Sequence, residues 1–353
     1  MGSSLSAFWD QSFFIPQPTF TDKELPDQTG KVHIITGGYT GIGYCLAQIL
    51  YAKNATVYIL GRSPSKAESA IAALKSAVPA SDGRLGFIQV DLSDLPTIKP
   101  AVATFLQKER RLDVLVNNAG IMRPPKGSTS AQGYDLQLGT NVYGPFLLAV
   151  LLLPLLKETA RTAQAGSVRV LWAGSTAVDL SAPKEGIEFA GDGTVRGDLD
   201  PGTMYGASKA ANVLLGVELA RRAGAANDGV LSCSFNPGNL QSELGRHAGV
   251  GVRLAAHVLC HPVHMGAWTE LFAGWSPEVT KEKNGCYIIP WGRVGECRKS
   301  VQQAAKPVEQ GGSGIAARLW EACEKVCREF NRRVTGIGRC LPICRYTLQA
   351  EQL

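Results

Sequence analysis

The sequence predicts an α/β chain: one domain built on a doubly wound parallel sheet of about seven strands, with helices on both faces. Three observations lead there. From Lys31 onward, short β-branched runs alternate with longer helical stretches. A glycine cluster follows the first run and opens the first helix. No composition break or repeat period divides the chain between there and about Phe330. Strands separated by helices imply βαβ units. Right-handed crossovers wind such units into a sheet whose ligands gather at the carboxyl ends of the strands.

The strand runs are "VHIIT" from Val32, "TVYIL" at 56–60, "LGFIQV" at 85–90, "LDVLV" at 112–116, "VRVLWA" at 168–173 and "VLSCSF" at 230–235. Segments 41–53, 94–109 and 203–223 between them are long enough for crossover helices. Ahead of the domain, residues 1–29 show no sustained period and read as an arm laid over it, held by Phe8, Trp9, Phe13, Phe14 or Phe20. Beyond the helical "IAARLWEACEKVCREF", residues 331–353 read as a tail. The longest apolar run, "FLLAVLLLPLL" from Phe146, is too short to cross a bilayer and contains Pro154. It reads as a buried or subunit-contact helix.

Hydrophobic residues make up 45% and charged residues 19% of the 353-residue chain, enough to bury a substantial core. The net charge of +6 is mild, and no nucleic-acid-binding module accompanies it, which argues against a nucleic-acid partner. Nine cysteines, an odd number, are scattered through strands and helices with no signal peptide before them. That usage suits reduced thiols and a cytoplasmic setting. "MGSSLS" matches the myristoylation pattern at Gly2 and Ser6. A single acyl chain would give only weak, reversible membrane contact.

Gly37, Gly41 and Gly43 lie between the first strand and the first helix. A helix start offers unpaired N–H groups and positive dipole to a pyrophosphate, and glycines let the ligand approach the backbone. The context makes a dinucleotide-binding Rossmann unit the better reading than a plain β–α turn. An enzyme that takes NAD would carry an acid at the end of the second strand. This chain has Leu60-Gly61-Arg62-Ser63 there. Arg62 can fork onto a 2′-phosphate, with Ser63 and Lys66 assisting, which favours NADP(H) over a merely solvated arginine.

Further signals follow in order: "VDLSD" with Asp91, "VNNAG" with Asn118, Ala119 and Gly120, "GTNVYG" with Asn141, "AGST" with Ser175, "YGASK" with Tyr205 and Lys209, and "NPGNLQS" after the sixth strand. In this order and on these elements they resemble the short-chain dehydrogenase/reductase superfamily, from about Gly30 to Ala322. "YGASKAANVLLGVELARR", "MGAWTELFAGWSPE" and "GCYIIPWGRVGE" resemble its retinol-dehydrogenase-like branch, whose members in biosynthetic clusters share the layout.

The resemblance implies a hydride exchanged between NADP(H) and a carbonyl or secondary alcohol of a small hydrophobic metabolite. Tyr205 would be the acid/base, with Lys209 one helical turn on to favour its phenolate and hold the nicotinamide ribose. Lowering a phenol from its ordinary ~10 by about three units takes roughly 4 kcal/mol of differential interaction. Ser175 would position the substrate oxygen, and Asn141 would hold a relay water. Asp91 and Leu92 would meet the adenine, Tyr39, Thr40 and Ile42 would line the glycine loop, and Pro237, Gly238, Leu240 and Ser242 would shape the nicotinamide pocket. The family also implies a homodimer or homotetramer.

The 30 positions from Ser175 to Tyr205 exceed the spacing of the shortest family members, so 176–204 reads as an inserted loop by the site. Residues 239–265 fall where relatives carry a substrate lid. "HVLCHPVH" brings together His257, Cys260, His261 and His264, but Pro262 interrupts the helix and the family reaction uses no metal, so these read as pocket lining rather than a zinc site. Cys323 with Cys327 reads as a buried helix pair, and Cys340 with Cys344 as tail thiols near arginines. A membrane-attached retinoid- or steroid-type dehydrogenase and a catalytically silent NADP-binding protein are the competing expectations.

Overall fold

The computed structural model describes residues 9–13, 15–241 and 260–331. Its strands are β1 (Val32–Thr36), β2 (Thr56–Gly61), β3 (Arg84–Gln89), β4 (Val114–Asn117), β5 (Arg169–Ala173), β6 (Leu231–Phe235), β7 (Tyr287–Ile289) and β8 (Arg293–Gly295). They form one sheet in the order β3-β2-β1-β4-β5-β6-β7-β8. The first seven are parallel; β8 returns antiparallel beside β7. The seven parallel strands match the expected sheet, and β8 adds a short antiparallel edge to it. At three residues it is too short to leave an alternation in the sequence.

The helices are α1 (Gly41–Ala52), α2 (Pro64–Ala77), α3 (Ile98–Lys108), α4 (Gly144–Ala160), α5 (Pro201–Ala226), α6 (Val263–Trp275), α7 (Lys299–Ala305) and α8 (Ile315–Asn331). Neighbouring strand residues point to opposite faces. Ile35, Val116 and Leu171 pack with Leu46, Leu50 and Phe272 of α1 and α6. Ile34, Leu115 and Val170 pack with Phe105, Phe146 and Leu214 of α3, α4 and α5. Burial on both faces explains why the strand runs are continuously apolar. Each such side chain contributes roughly 1.5–3 kcal/mol by leaving water.

β1 lies between β2 and β4, with Ile34 paired to Tyr58 on one side and Leu115 on the other. The chain winds outward to β3 and then returns to the other side of β1. The connections after β1 and β4 therefore diverge, which leaves a crevice at their carboxyl ends.

Two expectations are corrected. "FLLAVLLLPLL" belongs to a helical run of 25 residues, Leu136–Ala160, long and apolar enough by composition to cross a membrane, though 67% of its apolar window is buried inside the protein. It starts earlier than its apolar core suggests because Asp135 Oδ1 accepts from the Gln137 and Leu138 amides. Nor do the aromatic residues alone hold the arm. Phe20 is buried edge-on against Phe272, but Trp9 and Phe13 are 49% and 40% exposed while Gln11 and Ser12 are buried. Phe8 and Phe14 lie outside the described residues.

His33 of β1 is buried edge-on to Trp275, with no hydrogen-bond partner at either ring nitrogen. Burial brings its pKa down to about 4, with the Asp113 carboxylate pulling the other way. The unfolded chain then binds one more proton than the folded one between about pH 4 and 6.5. Stability from this residue is complete above 6.5 and is lost as pH falls toward 4, by roughly 3 kcal/mol. Denaturant unfolding of wild type and His33→Leu across that range should show a steeper acid decline in wild type. Parallel profiles would contradict this.

Candidate active site

The glycine cluster divides its work. Gly37 and Gly41 adopt φ of +69° and +57°, the left-handed region that turns the chain from β1 into α1. At Gly43 a Cβ would lie 2.6 Å from Asn118 Nδ2, so this position serves close helix–strand packing. Thr40 precedes α1 in extended geometry and makes no side-chain cap, so the first N–H groups of α1 stay open toward the crevice. Ile42 is buried beside Gly266 at the start of α6. These features fit a pyrophosphate.

Tyr39 lies across the end of β2. Its hydroxyl accepts from the Arg62 amide at 3.3 Å, and its ring covers Gly61, where a Cβ would come within 2.3 Å of it. Arg62 is exposed, and among the described residues it forms no ion pair with a carboxylate. With Gln89, Asp91, Thr97, Pro100 and Thr104 it lines a cavity of about 690 Å³. Ser63 caps α2 beside Arg62 by accepting from the Lys66 amide at 3.4 Å. The Asp91 carboxylate accepts from the amide and hydroxyl of Ser93 through Oδ1. Leu92 is buried, with its carbonyl filling the space where a Cβ on Gly144 would stand.

Asn118 has a structural commitment. Its amide donates to the Thr36 carbonyl at 2.8 Å while the Ala119 amide donates to Thr36 Oγ1 at 2.9 Å, tying β4 to β1. Gly120 sits where a Cβ would lie 3.2 Å from Asn141 Oδ1 and 3.3 Å from Lys209 Nζ. Asn141, fully buried in a π-turn at 139–143, accepts from the Ile121 amide and donates to the Ile121 carbonyl and to Ser208 Oγ. Both of its amide hydrogens are therefore used inside the protein.

Tyr205 and Lys209 enter the site because α5 starts where it does. Asp200 accepts from the Gly202 and Thr203 amides, and Pro201 occupies the first helical position. Tyr205 is 8% exposed and hydrogen-bonded to Ser175, whose hydroxyl also accepts from the Ala177 amide at 3.2 Å. Lys209 Nζ donates to the Ala173 carbonyl at 3.1 Å and lies 5.8 Å from the centre of the Tyr205 ring.

Burial raises the Tyr205 phenol above its ordinary value, opposed by the Ser175 hydrogen bond and the Arg123 guanidinium. Burial brings Lys209 itself down to about 8, with Glu270 resisting. Glu270 is fully buried with no hydrogen-bond partner at either oxygen, and burial pushes it up to about 8. Neither Arg123 nor Glu270 was singled out by the sequence reading. A lone acid in the apolar helix "VHMGAWTELFAGW" was the available signal for Glu270.

Of the residues expected to shape the nicotinamide pocket, Gly238 lies where a Cβ would come within 2.7 Å of the Trp291 ring, and Leu240 pairs with His261 in a parallel bridge. Residues 190–201 of the insertion line a second cavity, about 640 Å³, with 124–138. Ser242, His257 and residues 242–259 of the expected lid lie outside the described residues, as do Cys340 and Cys344. His261 and His264 stack edge-on against Trp291 and Trp268 instead of facing each other. Among the described residues no group of His, Cys, Asp and Glu is placed to hold a metal ion.

Residues 31–186 match the family described as short chain dehydrogenase. A short-chain dehydrogenase/reductase of Phomopsis amygdali is 45% identical over 336 residues, covering 93% of this chain and 98% of that protein. The chain is a short-chain dehydrogenase/reductase. Among solved structures, this oxidoreductase is similar to a protein of Mycobacterium Paratuberculosis (TM-score 0.60, 26% identity, 88% of this chain and 97% of that one). It is also similar to an NADP active-site complex of RhlG from Pseudomonas aeruginosa (TM-score 0.50, 25% identity, 82% and 92%). Like other members of its family, this short-chain dehydrogenase/reductase takes a nicotinamide cofactor and a small-molecule substrate.

Proposed function

We propose that this short-chain dehydrogenase/reductase uses NADP(H) and works as a tailoring ketoreductase, reducing a carbonyl of a small hydrophobic metabolite in the cytoplasm. The observation that carries the cofactor reading is Arg62: a guanidinium that has no carboxylate partner among the described residues, at the end of β2 and on the wall of the 690 Å³ cavity. A 2′-phosphate would give it one.

When bound, the nicotinamide supplies the hydride. Gly37, Gly41 and the first turn of α1 would hold the pyrophosphate, and Lys209 the ribose. Ser175 orients the carbonyl oxygen beside Tyr205. The phenol, kept protonated by its burial, donates a proton to the oxygen as negative charge develops there. The reducing direction follows from NADP(H) use, since cells keep that cofactor largely reduced.

Metabolite profiling of cells with and without the active protein tests the reading. The expected result is a pair of compounds differing by two hydrogens, with the reduced member accumulating when the protein is present. No such pair, together with no NADPH oxidation across a panel of ketones and aldehydes, would instead favour a silent dinucleotide-binding protein.

A further inference from the structure

We propose that the N-terminal segment 9–13 is a working part of the active site, with Gln11 and Ser12 as positioning residues for the loop after β6. The inference rests on the family's use of a nicotinamide cofactor and on the site assignment above.

Gln11 and Ser12 are 2% and 1% exposed, buried more completely than the aromatic residues that flank them. Gln11 Oε1 accepts from Asn236 Nδ2 at 2.8 Å, and Asn236 Oδ1 in turn accepts from the Gly238 amide at 3.1 Å. Ser12 Oγ accepts from Asn239 Nδ2 at 2.8 Å, and Asn239 Oδ1 accepts from Thr176 Oγ1 at 3.0 Å. Thr176 adjoins Ser175, which is bonded to Tyr205. The Ser12 carbonyl accepts from His261 Nε2 at 2.8 Å, while the His261 amide donates to the Asn239 carbonyl. Asp10 and Arg293 close the outer side with an ion pair at 3.2 Å.

Two hydrogen-bonded chains therefore lead from the arm into the site. One runs through Asn236 to Gly238, on the nicotinamide side. The other runs through Asn239 and Thr176 to the residue beside Ser175, on the side of the substrate oxygen. Apolar contacts would only keep the arm close. Directional bonds between buried amides fix where the loop stands, and deleting one partner leaves the other unsatisfied. Positioning errors well below a van der Waals radius are costly at a reacting centre.

The test uses full-length protein carrying Gln11→Ala, Ser12→Ala or Ser12→Thr, with whichever of NADPH and NADH wild type binds. A wrong cofactor preference is thereby kept apart from a failure of this inference. Gln11→Ala should weaken cofactor binding about tenfold, read by quenching of tryptophan fluorescence. Ser12→Ala should lower kcat about tenfold for the carbonyl compound that wild type reduces fastest, with cofactor affinity within twofold. Ser12→Thr, which keeps the hydroxyl, should restore most of that kcat. Wild-type binding and kcat in both alanine variants would overturn the proposal. So would equal losses in Ser12→Ala and Ser12→Thr, which would mark the arm as packing alone.

Discussion

Tyr205→Phe should lower turnover by a factor of about 10²–10⁴ while leaving NADPH affinity within about twofold, measured by steady-state kinetics and fluorescence titration. The substitution removes one hydroxyl from a ring that is otherwise packed into the protein. Its loss leaves the Ser175 hydroxyl still bonded to the Ala177 amide, so the loop after β5 keeps its anchor. What disappears is the proton donor. At the middle of the range, a thousandfold loss is about 4 kcal/mol of transition-state stabilisation. Unchanged turnover in this variant would refute the assignment of Tyr205 as the acid. Parallel losses of turnover and NADPH binding would point to damage to the pocket.

Arg62→Glu should weaken NADPH binding about 100-fold or more and change NADH binding by less than about threefold, read as the two dissociation constants. The variant exchanges a charge-assisted fork for a like charge facing the phosphate. It should leave the fold intact, because the bonds that place this residue are made by its backbone. Its amide donates to Tyr39 and its carbonyl accepts from Gln89. Equal weakening of both cofactors would mean that the Arg62 side chain only supports the pocket, and the NADP(H) proposal would fall.

The fold was legible because its signals are local and periodic. The strand runs are apolar on both faces, the helices between them are long, and the glycine triplet stands at a junction where a turn and a close helix contact coincide. β8 was not legible, since three residues pairing with a neighbour across a three-residue link show no period of their own. The helical extent of 136–160 was hidden because its start depends on the cap at Asp135 rather than on hydrophobicity. The arm was read through its aromatic residues, of which Phe20 is buried, whereas the buried contacts of segment 9–13 are polar. Gln11 and Ser12 look like ordinary surface residues until their partners, more than 200 positions away, are known.

For the site, the sequence alone determined which residue types stand at which strand ends and helix turns. Gly37, Gly41, Gly43 and Arg62 follow from motif spacing and element order, while the roles of Ser175, Tyr205 and Lys209 come from the resemblance to the short-chain dehydrogenase/reductase family. Only the tertiary structure decided their electrostatic state. Whether Tyr205 is raised or lowered depends on how deeply it is buried, on its bond to Ser175 and on the Arg123 guanidinium. Desolvation and long-range hydrogen bonding belong to the folded surroundings of a residue, and no window of sequence contains them.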